Sequence, residues 1–131
     1  MAGVIIELFP KRNFDFRNGN ATYVVTRNVR ALAYTSGVLE VRVFTNSIAS
    51  ASTIDVVVMP MSPTDDQPNF DFEVTNHEVA RFGMTSSTAN KYAYQQEMSA
   101  PWGALLLCKV EGIKSGGNCE ADISARLVMK V

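Results

Sequence analysis

The sequence has few of the residues on which most enzyme sites depend. Its 131 residues include one histidine, His77, and two cysteines, Cys108 and Cys119. Any Ser–His or Cys–His pair would have to use His77, and the Gly-x-Ser-x-Gly turn of one large hydrolase class is missing. One histidine and two separated cysteines are also a poor zinc ligand set. We therefore expect a protein that is not an enzyme and that holds no metal and no cofactor.

Charge and long apolar runs are also scarce. Charged residues make up 19% of the chain and the net charge is −1, which gives no electrostatic reason to expect nucleic acid or an anionic membrane as a partner. No stretch approaches the roughly 20 apolar residues of a transmembrane helix. The start of the chain lacks the basic region of a signal peptide, so we expect synthesis in the cytoplasm. A chain of this length can bury a core of its own, and we expect one domain over residues 1–131.

Short segments of alternating apolar and polar residues follow one another along the chain. Val38–Phe44 places Leu39, Val41 and Val43 on one face, and Thr53–Met61 alternates in the same way. Eight or nine such strands, with no helical period longer than a turn, predict an all-β fold, an antiparallel β-sandwich. The other predicted strands before the C-terminal segment are Val4–Phe9 (ended by Pro10), Tyr23–Thr26, Val29–Thr35, Phe70–Val74, Glu78–Met84 and Lys91–Met98, with turns at Asn18-Gly19 and Ser36-Gly37.

The C-terminal segment, residues 100–131, reads as two strands around a glycine-rich turn. A turn at Lys114–Gly117 predicts a hairpin in which Cys108 stands opposite Ile123. In that register Cys119 lies four residues beyond the partner of Cys108, roughly 13 Å along the strand and too far for a disulfide. Because both cysteines fall on the inward phase, we expect two buried free thiols.

Three segments carry a resemblance at the level of the fold. They are "GVLEVRVF" at Gly37–Phe44, "PWGALLLCKVEG" at Pro101–Gly112 and "ADISARLVMKV" at Ala121–Val131. With these segments the chain resembles the jelly-roll sandwiches of carbohydrate-binding modules and of phage and virus capsid accessory proteins. The resemblance implies a jelly-roll-like arrangement, and it transfers no functional residue to this chain.

Apolar residues stand at outward positions of several predicted strands. In the predicted hairpin these are Leu105, Leu107 and Val128, and another strand adds Val57 and Met59. Monomers usually avoid an exposed patch of this kind. Two explanations are open: the N-terminal strand Val4–Phe9 covers the patch, or the patch is a subunit interface. Both hold if the N-terminal strand crosses to a neighbouring subunit. For the interface we predict Leu105, Leu107, Val128, Val4 and Ile6.

A second group of residues could bind a ligand. Tyr92 and Tyr94 share one face of a predicted strand, and Trp102 precedes the next strand. If exposed and coplanar, these rings would form a platform for stacking on a sugar; the alternative is that they are core residues. The acidic pair Asp65-Asp66 could bind calcium in its loop, but no spaced set of oxygen ligands accompanies it. We therefore interpret the pair as part of a solvated turn between prolines.

The sequence thus predicts a structural protein that assembles with itself or with other subunits, for example in a phage capsid or tail, and that is incorporated into a virion or other particle. The alternative is a glycan-binding module or adhesin-like domain that uses Tyr92, Tyr94 and Trp102. Exposure of Trp102 separates the two hypotheses, since a buried ring cannot stack on a sugar.

Overall fold

A computed structural model describes residues 3–60, 78–99, 102 and 105–131, without the side chain of Tyr92. Eight strands and no helix occur in this part of the chain, so it contains no helix long and apolar enough to cross a membrane. The strands are β1 (Gly3–Asp15), β2 (Ala21–Arg30), β3 (Ser36–Ile48), β4 (Thr53–Pro60), β5 (Ala80–Met84), β6 (Lys91–Glu97), β7 (Leu105–Ile113) and β8 (Cys119–Lys130).

The strands pair in a nested order. β1 pairs with β8, β2 with β7, β3 with β6 and β4 with β5, all antiparallel. Two further pairings, β3 with β8 and β4 with β7, join these pairs into two four-stranded sheets. Sheet I has the order β1-β8-β3-β6 and sheet II the order β2-β7-β4-β5. This is the strand order of a jelly roll, and it confirms the predicted antiparallel sandwich.

The core lies between the two sheets and is built from alternate residues of each strand. Leu39, Val41 and Val43 of β3 are buried there, as the sequence predicts. Ile54, Val56 and Val58 of β4 are buried from the opposite sheet. Each sheet buries one face, so apolar residues recur at every second position of its strands. Branched apolar side chains fit the pleated surface of that buried face.

The predicted C-terminal hairpin is wrong. β7 and β8 lie in different sheets: β7 pairs with β2 and β4, while β8 pairs with β1 and β3. The inward phase of both strands is nevertheless correct, because Cys108 and Cys119 are buried free cysteines. Alternation determines which face a residue occupies and not which strand lies beside it. The turn after β7, where Gly116 and Gly117 have φ of 72° and 61°, carries the chain across the sandwich.

Other turn signals also differ from their predicted roles. Pro10 does not end the first strand, which continues to Asp15 with register shifts between Glu7 and Arg12; β1 is an edge strand, where a missing N–H can be tolerated. The turn at Asn18-Gly19 exists but connects β1 to β2 in the other sheet, so it is not a hairpin. Ser36-Gly37 begins β3 instead of forming a turn.

Two predicted strands are parts of one element. Tyr23–Thr26 and the start of Val29–Thr35 both belong to β2, which is interrupted by register shifts around Thr26 and by Asn28 in a left-handed conformation with φ of 60°. The chain then turns, with the Tyr34 N–H donating to the Ala31 carbonyl. The predicted strand Phe70–Val74, the loop with Asp65-Asp66, and His77 lie outside the described residues.

Candidate assembly surface

The outer face of sheet I is a set of rows that run across its strands. In a β-strand alternate residues face the same side, so the register identifies each row. One row contains Ile5 of β1, Val128 of β8 and Val38 of β3. The next outward row, two residues further along, contains Glu7, Arg126 and Glu40 of the same three strands. The outer face of sheet I therefore changes from apolar to charged within two residues along each of these strands.

The apolar row leads to an end of the sandwich with several exposed hydrophobic residues. Ile5 is 58% exposed and Val4, its neighbour, is 37% exposed. Leu32, in the turn between β2 and β3, is 79% exposed, and Val131 is 58% exposed. Strand pairing of Gly3 with Lys130, and a hydrogen bond from the Thr35 N–H to the Lys130 carbonyl, bring these segments together. We call Val4, Ile5, Leu32 and Val131 the apolar end.

The charged row is held by hydrogen bonds across sheet I. The Arg126 Nε donates to Glu40 Oε1 at 2.7 Å, and the Gln95 Nε2 donates to Glu40 Oε2 at 3.1 Å. The hydrogen bond from Arg126 is the main reason why the pKa of Glu40 lies below its ordinary value. The small side chains of Ala93 and Ser124 leave a depression of about 580 Å³ between these charged groups.

The predicted interface residues are divided between the two sheets. Val128 lies on the outer face of sheet I, and Val4 and Ile6 lie on β1. Ile6 packs against the core, which makes Ile5 the outward residue of that strand. Leu105 is half-buried, and Leu107 is 1% exposed, so the surface of Leu107 is not available to another subunit. The predicted neighbours Leu105 and Val128 therefore do not share a patch.

The outer side of sheet II has its own buried apolar group. Met59 of β4 and Leu107 of β7 are directly paired, and Val57 precedes them on β4. All three are buried. The N-terminal strand does not cover them, because β1 pairs with β8 at the far edge of sheet I. The suggested cover by Val4–Phe9 is therefore wrong.

A network of charges occupies the other half of the outer face of sheet II. Arg81 of β5 donates two hydrogen bonds to Glu78, one at 2.8 Å from Nε, and further bonds to Asp55 and, at 3.2 Å, to Glu111. Lys109 contributes a second cation, 2.8 Å from Glu111. The hydrogen bonds from Arg81 lower the pKa of Glu78, and those to Glu78 contribute most to raising the pKa of Arg81.

Two of the three rings that were predicted to form a sugar platform pack within the protein. Trp102 is 5% exposed, and its indole Nε1–H donates to the Ala31 carbonyl at 3.2 Å. Tyr94 packs against the core with its ring centroid 4.9 Å from that of Phe82, and its hydroxyl donates to the Ala89 carbonyl. The side chain of Tyr92 lies outside the described residues. Because Trp102 is buried, the platform that the sequence predicts with this residue is wrong.

The thiols and the acidic residues do not form a reactive or metal-binding group in the part of the chain that is described. Burial raises the pKa of Cys108 to about 12 and also raises the pKa of Cys119. No set of three potential metal ligands comes together among these residues. The loop with Asp65-Asp66, interpreted above as a solvated turn with calcium binding as the alternative, lies outside this part of the chain.

Sequence reasoning missed three residues of this surface: Ile5 and Leu32, which are exposed, and Val38, which is half-buried. A signal for Ile5 was present, because a strand that turns Ile6 inward must turn Ile5 outward. Val38 could be recognised as an outward residue from the inward phase of Leu39. Its position beside Val128 depends on the pairing of β3 with β8, and the alternation of residues does not predict that pairing.

Comparison with known proteins gives a match at the level of the fold. No protein-family model matches the sequence, and no curated protein matches it. Three solved structures from infectious bursal disease virus are similar: the VP2 subviral particle (TM-score 0.54, 14% identity), the Gt strain (0.50, 12%) and the Gx strain (0.52, 11%). Each match covers 98% of this chain.

The chain spans about a third of the length of the viral chains, with 32%, 32% and 31% of them covered. Sequence identities this low show a shared fold and nothing about activity or partners. With its strand order of β1-β8-β3-β6 and β2-β7-β4-β5, the chain has a jelly-roll-like sandwich fold that is shared with these viral structures.

Proposed function

We propose that the protein is a structural, non-enzymatic subunit that assembles with copies of itself or with other subunits of a larger particle, such as a virus or phage capsid. The observation that carries the proposal is the apolar end, where Ile5 and Leu32 are 58% and 79% exposed. Contiguous exposed apolar surface is typical of interaction sites. The capsid-type fold is consistent with such a role and supports it by analogy.

The proposal agrees with the chemistry of the outer face of sheet I. An apolar row beside a charged row is the composition of an interface with a dry centre and a polar rim. Arg126 and Glu40 are already paired within the chain, so this rim needs little rearrangement on contact. Incorporation into a particle follows from the same proposal and would be observed as co-purification with the particle.

Solution mass tests the proposal. We expect light scattering of the wild-type protein to rise above the monomer mass of 14.4 kDa as concentration increases, and we expect Ile5→Lys to return the mass to that of the monomer. A buried lysine ammonium without a partner is strongly unfavourable in an interface. Ile113→Lys is the matched control, since Ile113 is 53% exposed at the opposite end of the sandwich.

Two results would contradict the proposal. One is a wild-type protein that stays monomeric up to millimolar concentration. The other is an oligomer that Ile5→Lys and Ile113→Lys weaken equally, because that would move the contact away from the apolar end. Circular dichroism of each variant checks that the fold is intact.

A further inference from the structure

The described residues form a sandwich with four edge strands, which differ in how they are protected against pairing with another chain. Edges are usually protected by charges, prolines, bulges or short length. β5 has five residues and carries Arg81. β2 is interrupted by two register shifts. β6 begins with Lys91 and ends with Glu97. Each of these three edges therefore has at least one recognised form of protection.

β1 is protected over only part of its length. Its second half contains Pro10, Lys11 and Arg12 and two register shifts. Its first half, Gly3–Ile6, has no charge, no proline and no register shift; Gly3, Val4 and Ile5 are exposed and Ile6 is half-buried. This segment also contributes Val4 and Ile5 to the apolar end. In the part of the chain that the structure describes, no strand pairs with the outer side of Gly3–Ile6, and a regular, apolar edge of this kind is a template for strand addition.

We propose that β1 pairs antiparallel with β1 of a second copy of this chain, with the two-fold axis passing midway between the two Ile5 residues. The inference rests on the proposed function and specifies the contact within it. It joins sheet I of each copy into one continuous eight-stranded sheet. The contact is isologous, so it closes a dimer with the same surface on both sides.

The register follows from which way the side chains face. A two-fold axis perpendicular to the sheet keeps outward residues outward, and directly opposed residues of antiparallel strands share a face. Ile5 must therefore stand opposite Gly3, Ile5 or Glu7 of the second copy, and pairing with Ile5 is the choice that joins the two apolar rows. Val4 then stands opposite Ile6 of the second copy on the core side. All three apolar residues of the edge become covered.

Charge complementarity supports this register. It places Glu7 of one copy opposite Gly3 of the other, and the strand beyond Gly3 carries Lys130. Gly3 has no side chain, so Glu7 and Lys130 of the second copy face each other across it on the same side of the sheet. Two strand spacings are about 9.6 Å, which long glutamate and lysine side chains can span. Symmetry produces this pair twice in the dimer.

The same pairing extends the apolar row. Val38, Val128 and Ile5 of one copy continue into Ile5, Val128 and Val38 of the other. Cross-strand apolar pairs of this kind stabilise sheets. The proposed contact thus combines main-chain hydrogen bonds, an apolar row and two charge pairs.

A cysteine at the two-fold axis tests the geometry. Opposed residues in an antiparallel pair have Cα atoms about 4.5 or 5.5 Å apart, and both distances permit a disulfide. Ile5→Cys, oxidised with oxidised glutathione, should therefore form a cross-linked dimer on a non-reducing gel. Leu32→Cys is the control, because Leu32 belongs to the apolar end but lies away from the axis. Wild-type Cys108 and Cys119 are buried and should not cross-link.

The outcomes separate this inference from the proposed function. A wild-type oligomer in which Leu32→Cys cross-links and Ile5→Cys does not would overturn the edge pairing and leave the assembly proposal intact. A monomeric wild-type protein would overturn both. Cross-linking of Ile5→Cys alone supports the pairing.

A charge exchange provides a second test that keeps Ile5. Glu7→Lys and Lys130→Glu should each weaken dimerisation about tenfold, because an attractive pair becomes repulsive twice per dimer. The double variant should return to within about twofold of wild type. Within one chain Glu7 pairs with Arg126, four residues from Lys130 and roughly 13 Å along the strand, so compensation cannot arise inside a monomer. A double variant weaker than either single variant would overturn the inference.

Discussion

At the scale of single residues, Gly112 is the described glycine with the least room for a side chain, because it faces the ring of Phe16. Gly112 lies in β7 between Ala21 of β2 and Ile54 of β4. A Cβ at Gly112 would stand 2.2 Å from the ring of Phe16, which is buried after the end of β1. The Phe16 N–H donates to the Cys119 carbonyl at 2.8 Å, so the backbone fixes the ring in this place.

We therefore expect Gly112→Ala to lower the free energy of unfolding by about 1–3 kcal/mol, since overpacking displaces side chains and backbone. Urea denaturation measures the change. Phe16→Leu removes part of the ring and should be less harmful when Gly112→Ala is present than when it is not. Strictly additive effects in this double-mutant cycle would contradict the account.

At the scale of elements, Arg81 joins three strands and the segment before β5. It binds Asp55 of β4, Glu111 of β7 and Glu78. Arginine presents several donors in a fixed plane, and lysine does not. The position of Arg81 therefore fixes the edge strand β5 against the rest of sheet II.

Replacing Arg81 should destabilise the fold through the carboxylates that it leaves behind. We expect Arg81→Gln to lower the free energy of unfolding by about 1–3 kcal/mol at pH 7, less than for a fully buried ion pair because the site is partly solvated. Arg81→Lys, the matched control, should lose less because it keeps the charge.

The pH dependence of this loss has a defined sign. The pKa of Glu78 is lowered in the folded protein by Arg81, so its contribution is present above the unfolded pKa and disappears as pH falls through the folded pKa. The difference between wild type and Arg81→Gln should therefore shrink as pH is lowered from about 6 towards 3. A constant difference over this range, measured by urea denaturation, would contradict the role of the carboxylates.

The alternation of residues along the strands predicts which side chains are buried, but it does not predict which strands pair. The inward residues of β3, β4 and β8 could be predicted, because burial on one face imposes period two on the sequence. The partner of β8 could not, since Cys108 and Cys119 have the same phase whether their strands pair or face each other across the core. The apolar end could not be predicted either, because Leu32 and Val131 lie at the same end of the sandwich as Val4 only through the pairing of β1 with β8.

At the scale of the whole molecule, the nested pairing order predicts an order of folding. β4 and β5 form the innermost pair, with β4 ending at Pro60 and β5 beginning at Ala80, while β1 and β8 form the outermost pair. Closing a longer loop loses more chain entropy, and topologies with many distant contacts fold slowly. The inner pair should therefore be formed earlier than the outer one.

Matched substitutions in the two pairs test this order. Ile54 in β4 and Ile123 in β8 are both fully buried, and Ile→Val at either site should lower stability by about 1 kcal/mol. We expect Ile54→Val mainly to slow folding and Ile123→Val mainly to accelerate unfolding, as measured by stopped-flow kinetics. The reverse distribution would contradict the nested order.

The antiparallel pairing of Gly3 with Lys130 also has a mechanical consequence. Tension applied through these two residues pulls β1 away from β8 at one end, so their hydrogen bonds break one after another instead of shearing together. β8 remains held by β3, and β1 peels away first. In the proposed dimer, the second β1 would resist this peeling, so that the contact between the two copies would carry part of the force.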